Sequence, residues 1–410
     1  MQNKRSLSYF QITLLGFATL GVSMFWSLNV AIIPLLLEKI TASATLIGFA
    51  LSLGAMAGVV MPIMAGLASD RLDTSWGKRR PFVLFGGIIA AFAVILVPLN
   101  TVYFLTLLTL ALLYVALNSY IAPVFAFIPD LVPADQRGQA AGIYGVLRGV
   151  GTLAGLTLGG YLWRFNTILP FAATSFVILT TALVTFIASA GYDGSSISGN
   201  KKEEIAQRKS IKAYFRSLSE HPAVLFFLCA QSLWWGAFGI VIPFFTLFAK
   251  NVLGLSVSSS SSILAVFGIV AIIAMIPVSK LGDRWNPRLV MSMGLSILGA
   301  AGVCGYFVQN LIQVYIVMIL CALGMSALTT LPYAYIANAS PEGRKAEFYG
   351  LENISVSAPQ IFALWTGGLL IDYVGYRIIF LIAAVAVFLS ILVLSFGERG
   401  LKSILQPELG

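Results

Sequence analysis

Charge is scarce in this chain. Asp, Glu, Lys and Arg make up 10% of its 410 residues, against about a quarter in an ordinary soluble domain, so a water-soluble globular fold is excluded. There is one histidine, His221, and it precedes the seventh apolar stretch in a polar segment. A histidine-based proton relay inside a membrane is therefore ruled out. The three cysteines, Cys229, Cys304 and Cys321, lie within apolar stretches and show no ligand spacing. They read as small packing residues, and no metal or cofactor is expected. An intramembrane enzyme would need a cluster of nucleophile, base or metal ligands in the apolar stretches, and none is present. Strand-like alternation is missing too, and open sheet edges do not survive in lipid, which leaves a helical bundle.

What the chain does have is apolar length. Hydrophobic residues are 59% of it and the mean hydropathy is +0.92. A spanning helix needs roughly 20 predominantly apolar residues. Twelve such stretches are found, at 9–37, 42–68, 81–99, 102–128, 139–162, 167–190, 223–249, 258–279, 288–308, 311–337, 346–370 and 375–396. The split between the third and fourth rests on Pro98, Leu99 and Asn100. Lys4 and Arg5 precede an apolar run too long for a signal peptide, so the first stretch is expected to be an uncleaved helix.

The stretches form a duplicated block. FWSLNVAIIP at 25–34 echoes WWGAFGIVIP at 234–243, with Trp26, Ile33 and Pro34 matched by Trp235, Ile242 and Pro243 at one common offset. Asp70-Arg71 returns as Asp283-Arg284, Pro123 as Pro332, and Pro133 with Gly142 as Pro341 with Gly350. The expected organisation is a six-helix bundle over 1–191, a cytoplasmic linker over 192–222 and a second six-helix bundle over 223–410. In a membrane transporter built this way, the substrate site is expected between the halves near mid-membrane. Pro34, Pro123, Pro243 and Pro332 are expected either to kink the cavity helices or simply to pack. In the linker, Ile211, Tyr214, Phe215 and Leu218 recur at helical spacing among Lys and Arg, as in a helix lying on the inner leaflet; a plain solvated linker is the other reading.

The net charge of +9 would suit nucleic acid if it were clustered on one surface. Instead, with the N-terminus in the cytoplasm, the outer loops hold only Lys39, Arg164, Lys250 and Arg377, and Arg148 lies inside a span. The remaining Lys and Arg fall on the cytoplasmic side. This is the positive-inside pattern; it places both termini in the cytoplasm of a multi-pass protein of the cell membrane and makes nucleic acid unnecessary as a partner. In the fifth span, Gly151, Gly155 and Gly159 recur at four-residue spacing, which predicts a close seam with another helix.

Between the second and third spans the chain reads GLASDRLDTSWGKRRP over 66–81. Asp70 can accept charge-assisted bonds from an Arg or a helix N-terminus, and Arg71, Lys78, Arg79 and Arg80 can pair with neighbouring acids. Such pairs must break when the halves rock apart, so Asp70, Arg71, Arg79, Arg80, Arg137, Asp283 and Arg284 are candidate gating residues. The run resembles the loop motif of the major facilitator superfamily, G-x-x-x-D-R followed by Gly and basic residues, with Gly282-Asp283-Arg284 as its degenerate second copy. The resemblance extends over nearly the whole chain and implies two pseudo-symmetric six-helix bundles. Within that superfamily the longer spacer between Asp70 and Gly77, and the run Pro129-Asp130-Leu131-Val132-Pro133 followed by Asp135 and Arg137, are similar to the sucrose carriers and the glycoside–pentoside–hexuronide cation symporters. Phe125 stands where plant sucrose carriers have an arginine and Arg148 has no counterpart there, so the resemblance implies a sugar carrier in the broad sense.

A charge at the bilayer centre costs at least ~2.5–3.5 kcal/mol and is usually functional. Arg148 lies roughly 15 Å into the fifth span and Glu352 about 9 Å into the eleventh, at ~1.5 Å per residue. Either each forms an internal ion pair, or Arg148 binds substrate and Glu352 is a proton or cation site; a gating partner for the Asp70 loop is a further role open to Glu352. Asp130, at the end of the fourth span, is a second coupling candidate. Sugar sites combine aromatic faces with neutral hydrogen-bonding groups. The superfamily lines its cavity with spans 1, 4, 7 and 10, which here supply Trp26, Asn29, Tyr114, Asn118, Gln231, Trp235, Thr329 and Tyr333; the eleventh span adds Asn353 and Gln360. Trp26 with Asn29, Tyr114 with Asn118, and Gln231 with Trp235 each share a helix face. Core packing or an interfacial belt is the other reading of each aromatic. The expected function is proton-coupled symport of a sugar or glycoside by a monomer that needs no cofactor, the partners being a small-molecule substrate, a coupling proton or cation and the bilayer. Proton-antiport export of drugs or organic ions is the alternative; the fifth span has the glycines of such exporters but not their proline.

Overall fold

The computed structural model describes residues 6–72, 74–190, 222–339 and 345–405. The described residues form helices and connecting turns, with no strand among them. In chain order the helices are α1 (Tyr9–Gly16), α2 (Ala18–Ala31), α3 (Ile33–Glu38), α4 (Ala44–Arg71), α5 (Arg80–Leu96), α6 (Tyr103–Leu131), α7 (Arg137–Trp163) and α8 (Leu169–Ala188), then α9 (Pro222–Asn251), α10 (Val257–Arg284), α11 (Pro287–Tyr306), α12 (Leu311–Ala339), α13 (Lys345–Val374) and α14 (Ile378–Leu405). Eleven of these are long and apolar enough to cross a membrane, and the pair α1–α2, bent by 41°, supplies the twelfth crossing. The fold is an all-α membrane protein of two six-helix bundles. The linker, its expected interfacial helix and His221 lie outside the described residues.

Local chemistry sets the helix ends. Ser8 and Gln11 close a reciprocal capping box at the start of α1, satisfying two backbone donors that the first turn leaves unpaired. Pro34, Pro81, Pro170 and Pro287 occupy first-turn positions, where the missing N–H is not needed. Just past the end of α9, Gly254 turns the chain at φ +65, with Leu255 N donating to Ala249 O and Gly254 N to Lys250 O, which satisfies carbonyls the last turn leaves unpaired in a left-handed conformation that favours glycine. The third and fourth spans part at a 3₁₀ turn over Val97–Leu99, where Pro98 was expected to divide them. The duplication is not exact in shape. The first span breaks at Phe17 and Ile32, the second break just before Pro34, whereas its repeat α9 runs continuously through Pro243.

Two compact units are present. One comprises Met1–Ala42, Leu53–Gln207 and Val257–Ser262, the other Ser43–Ser52, Arg208–Ser256 and Ile263–Gly410. The first residues of α4 therefore count with the second unit, and those of its repeat α10 with the first.

In the first unit, α7 packs along α2 through the expected glycine seam. A Cβ on Gly151 would fall 2.2 Å from Leu20 O, and one on Gly155 2.5 Å from Met24 O. The backbones meet because no side chain intervenes. In the second unit the core gathers Phe227, Trp234, Met291, Leu295, Leu328, Ile336 and Val387. The cysteines depart from expectation: Cys229 and Cys304 are exposed and only Cys321 is partly covered.

Candidate functional site

The first unit brings its aromatic and amide candidates together. Asn29 on α2 is nearly buried and Tyr114 on α6 fully so. The Tyr114 hydroxyl donates to Asn29 Oδ1 at 2.5 Å. Trp26, one turn before Asn29, stacks on the Tyr114 ring with centroids 5.9 Å apart and planes 13° from parallel. Gly54 on α4 allows that ring its place, since a Cβ there would lie 3.0 Å from Tyr114 Cε1. Asn118, on the same face of α6, turns its amide nitrogen back to Tyr114 O at 2.8 Å. Three of these four side chains thus form one cluster through side-chain contacts, and the fourth is tied to its own helix.

Arg148 is exposed on α7 and sets its guanidinium over the Phe125 ring of α6, 5.9 Å from the centroid. That is cation–π distance. Phe125 on α6 and Arg148 on α7 are thus neighbours.

The second unit supplies a buried acid. Glu352 on α13 is 4% exposed and Gln231 on α9 is fully buried. Gln231 Nε2 donates to Glu352 Oε1 at 2.7 Å. Among the described residues no ion pair to Glu352 is present. Gln231, expected on substrate beside Trp235, gives its amide donor to this acid.

Trp235 is half-buried, packs edge-on to Phe238 at 5.4 Å, and its indole N–H is buried without a partner. Its neighbour Trp234 is entirely inside the core. Thr329 bonds back to Met325 O at 3.0 Å, and Gln360 to Val356 O at 2.8 Å. The Gln360 stem lies against Gly239 of α9. The side chains of Tyr333, Asn353 and Asp70 lie outside the described residues.

An ion pair anchors the charged loop. Arg79 Nε donates to Asp130 Oδ2 at 2.5 Å, with the two side chains 14% and 22% exposed. Asp130, expected as a coupling acid, is thus held by a gating candidate. Arg80 lies over the Phe186 ring at 4.3 Å and donates to Phe186 O. Gly77 turns the loop at φ +90, a conformation that side chains resist, and Thr74 holds that turn by donating to Gly77 O. Arg137 donates to Pro129 O at 3.0 Å, where the end of α6 leaves carbonyls unpaired. Arg71, Asp283 and Arg284 are exposed.

Two contacts went unseen in the sequence. Asp372, near the end of α13, accepts four hydrogen bonds from residues 43–45 at the start of α4. Its signal is an acid two residues beyond the expected end of the eleventh span at 370, where α13 in fact continues to Val374. Gln136 joins its amide to both backbone groups of Leu7, a link between distant residues that local pattern does not announce.

A family model described as the Major Facilitator Superfamily matches the chain over residues 15–288 and again over 235–408. The multi-drug resistance efflux pump PmrA homolog of Lactococcus lactis subsp. lactis (strain IL1403) is 26% identical over 384 residues, 89% of this chain and 89% of that protein. The general alpha-glucoside permease of Schizosaccharomyces pombe (strain 972 / ATCC 24843) is 27% identical over 214 residues, 45% of this chain and 38% of that protein. Among solved structures, a bacterial homolog to the human lysosomal transporter Spinster, inward-facing and unoccupied, superposes with a TM-score of 0.76 at 16% identity, covering 95% of this chain and 96% of that one. At that identity the likeness establishes the fold.

Proposed function

This chain belongs to the major facilitator superfamily, and on that premise we propose that it is a proton-coupled symporter of a sugar or small glycoside working by alternating access. The family makes it a membrane transporter of small solutes, not an enzyme. The observation that carries proton coupling is the buried Glu352 carboxyl bonded to a neutral amide at 2.7 Å. A carboxylate among apolar side chains, offset by one neutral donor, is poorly compensated for lost hydration. Gain and loss of a proton there changes the bonding between α9 and α13, which a two-state transporter can use. Arg79 already neutralises Asp130, so Glu352 is the stronger coupling site and Asp130 belongs with the gating pairs.

The sugar reading is supported by the Trp26–Tyr114 stack beside Asn29 and Asn118. An aromatic face suits the C–H face of a pyranose, and neutral amides suit its hydroxyls. Arg148, exposed above Phe125, is assigned to substrate hydroxyls or a carboxylate. Trp235, with its unpartnered N–H, is assigned to a substrate oxygen. The alpha-glucoside permease among the relatives agrees with this. The charge pattern supports a cell-membrane location with both termini cytoplasmic. A second reading, proton-antiport export of drugs or organic ions, is favoured by the efflux-pump relative that matches 89% of both chains.

The test is uptake of labelled glycosides into cells or proteoliposomes at several external pH values, with proton movement recorded alongside. Saturable uptake that rises as external pH falls, accompanied by external alkalinisation, is expected. Glycoside flux absent at every pH, together with dye extrusion driven by a proton gradient, would replace the first reading with the second.

A further inference from the structure

The Gln231–Glu352 contact is half complete. Gln231 Nε2 donates to Glu352 Oε1, but Gln231 Oε1 is buried and has no hydrogen-bond partner. Buried amide oxygens are normally bonded, and an orphan is costly. A carboxylate cannot relieve it, because a carboxylate only accepts. The protonated acid can, because its second oxygen then carries a donor. Primary amide and carboxylic acid are geometric complements: each offers one donor and one acceptor along parallel directions.

We infer that, when Glu352 is protonated, its Oε2–H donates to Gln231 Oε1 and closes a ring of two hydrogen bonds, so that Gln231 is the positioning residue of the proton-bound state. This rests on the reading of Glu352 as the proton site and adds a role that reading does not contain. The proton arrives from solvent and leaves to it; no covalent bond other than O–H is made or broken. In the deprotonated state one hydrogen bond joins the Gln231 and Glu352 side chains of α9 and α13 and Gln231 Oε1 has no partner. In the protonated state two bonds join the helices and both amide groups are satisfied. The proton is thus read out as a change in the tie between α9 and α13.

Among the described residues no other charge competes for this role. Among described side chains on the helices packed against α13, the titratable groups are Cys229 and Lys250 on α9, Tyr315, Cys321 and Tyr335 on α12, and Arg71 at the far end of α4, which meets α13 through Ala44 and Gly48; α14 has none between Ile378 and Phe396. Lys250 is about 28 Å along α9 from Gln231, at ~1.5 Å per residue. On α13 itself, the other described titratable side chains are Asp372 and Tyr373, at the far end of the helix.

The experiment is the infrared difference spectrum of the purified full-length protein in lipid, acid minus neutral, in the carboxylic-acid C=O region. Glu352→Gln is expected to remove one band, which assigns it. In the unaltered protein that band is expected below the position of an unbonded acid, because both oxygens are bonded. In Gln231→Met, which keeps the side-chain length, it is expected to move up towards the unbonded position, and the pH midpoint of transport to shift with it. An assigned band already at the unbonded position in the unaltered protein, or unmoved by Gln231→Met, would overturn the pairing while leaving Glu352 as the proton site. If Glu352→Gln removes no band, the proton-site reading itself fails and the pairing with it. The band position in the unaltered protein decides the matter even if the Gln231 variant does not fold.

Discussion

The Asp372 carboxylate takes both the backbone N–H and the hydroxyl of Thr45, at 2.9 and 2.7 Å. It also accepts from Ala44 N and Ser43 Oγ at 2.7 Å each. An acid on one helix thus caps the start of another, where free N–H groups and the helix dipole favour negative charge. Gly368, one turn earlier on α13, lets the backbones meet, since a Cβ there would lie 2.2 Å from Ala44 O.

Asp372→Ala is expected to free the first turn of α4. Loss of a capping acceptor costs about 0.5–2 kcal/mol, or roughly 2- to 30-fold in a local opening equilibrium. Amide exchange at Ala44 and Thr45 should accelerate by that factor, while amides in the middle of α4 stay unchanged. Uniform acceleration along the helix would show that the acid does more than cap.

The seam between α7 and α2 should discriminate among its own glycines. Gly155→Ala drives a methyl group against Met24 O and is expected to cost at least the ~1–3 kcal/mol typical of overpacking. Gly159→Ala meets only Leu28 and Ile32 side chains at ordinary contact, 3.4 Å and beyond, and should be far milder. Thermal-shift measurements on the two variants in detergent would reveal the order; equal loss would contradict the seam.

Arg79 and Asp130 should behave as one unit. Arg79→Ala and Asp130→Asn are each expected to lower stability, and the double variant to cost less than their sum, with a coupling of about 1 kcal/mol for a partly covered pair. If Asp130 belongs to the gate and Glu352 to the coupling, Asp130→Asn should leave substrate accumulation dependent on external pH. Glu352→Gln should abolish that dependence while retaining substrate exchange. The reverse result would exchange their roles.

Tyr114→Phe removes the donor to Asn29 Oδ1 and nothing else from the ring stack. A buried acceptor left unpaired costs about 1–3 kcal/mol. If the cluster binds substrate, KM should rise several-fold more in Trp26→Ala than in Tyr114→Phe, because the first removes an aromatic face and the second a hydroxyl. Changes in melting temperature with unaltered KM in both would assign the cluster to packing.

Much of this molecule was readable along the chain because membrane solvent imposes local rules. Twelve apolar runs became twelve crossings, and Pro98 divided two of them. Four-residue glycine spacing foretold the α7 seam, because that spacing alone aligns residues on one face. The seam's partner, α2, was not legible, since periodicity names a face and not its neighbour. The same limit explains the polar residues. Asn29 and Tyr114 were both picked as candidates, yet nothing in their separate helices says that one hydroxyl bonds one amide. Arg137, a gating candidate, closes the carbonyl end of α6, a contact that local pattern does not announce. Asp372 lies beyond the expected end of the eleventh span, and only the helix's continuation to Val374 brings it against the start of α4.

By itself the sequence determined that the backbone must be helical and span a membrane, that the bundle is duplicated, and where charge can be tolerated, because these follow from transfer of side chains and peptide groups out of water. Only the tertiary structure decided which polar atoms satisfy one another: Gln231 with Glu352, Arg79 with Asp130, Asp372 with the start of α4. Those pairings depend on ångström-scale distances between helices far apart in the chain, and a hydrogen bond's strength vanishes over a displacement that leaves every apolar pattern unchanged.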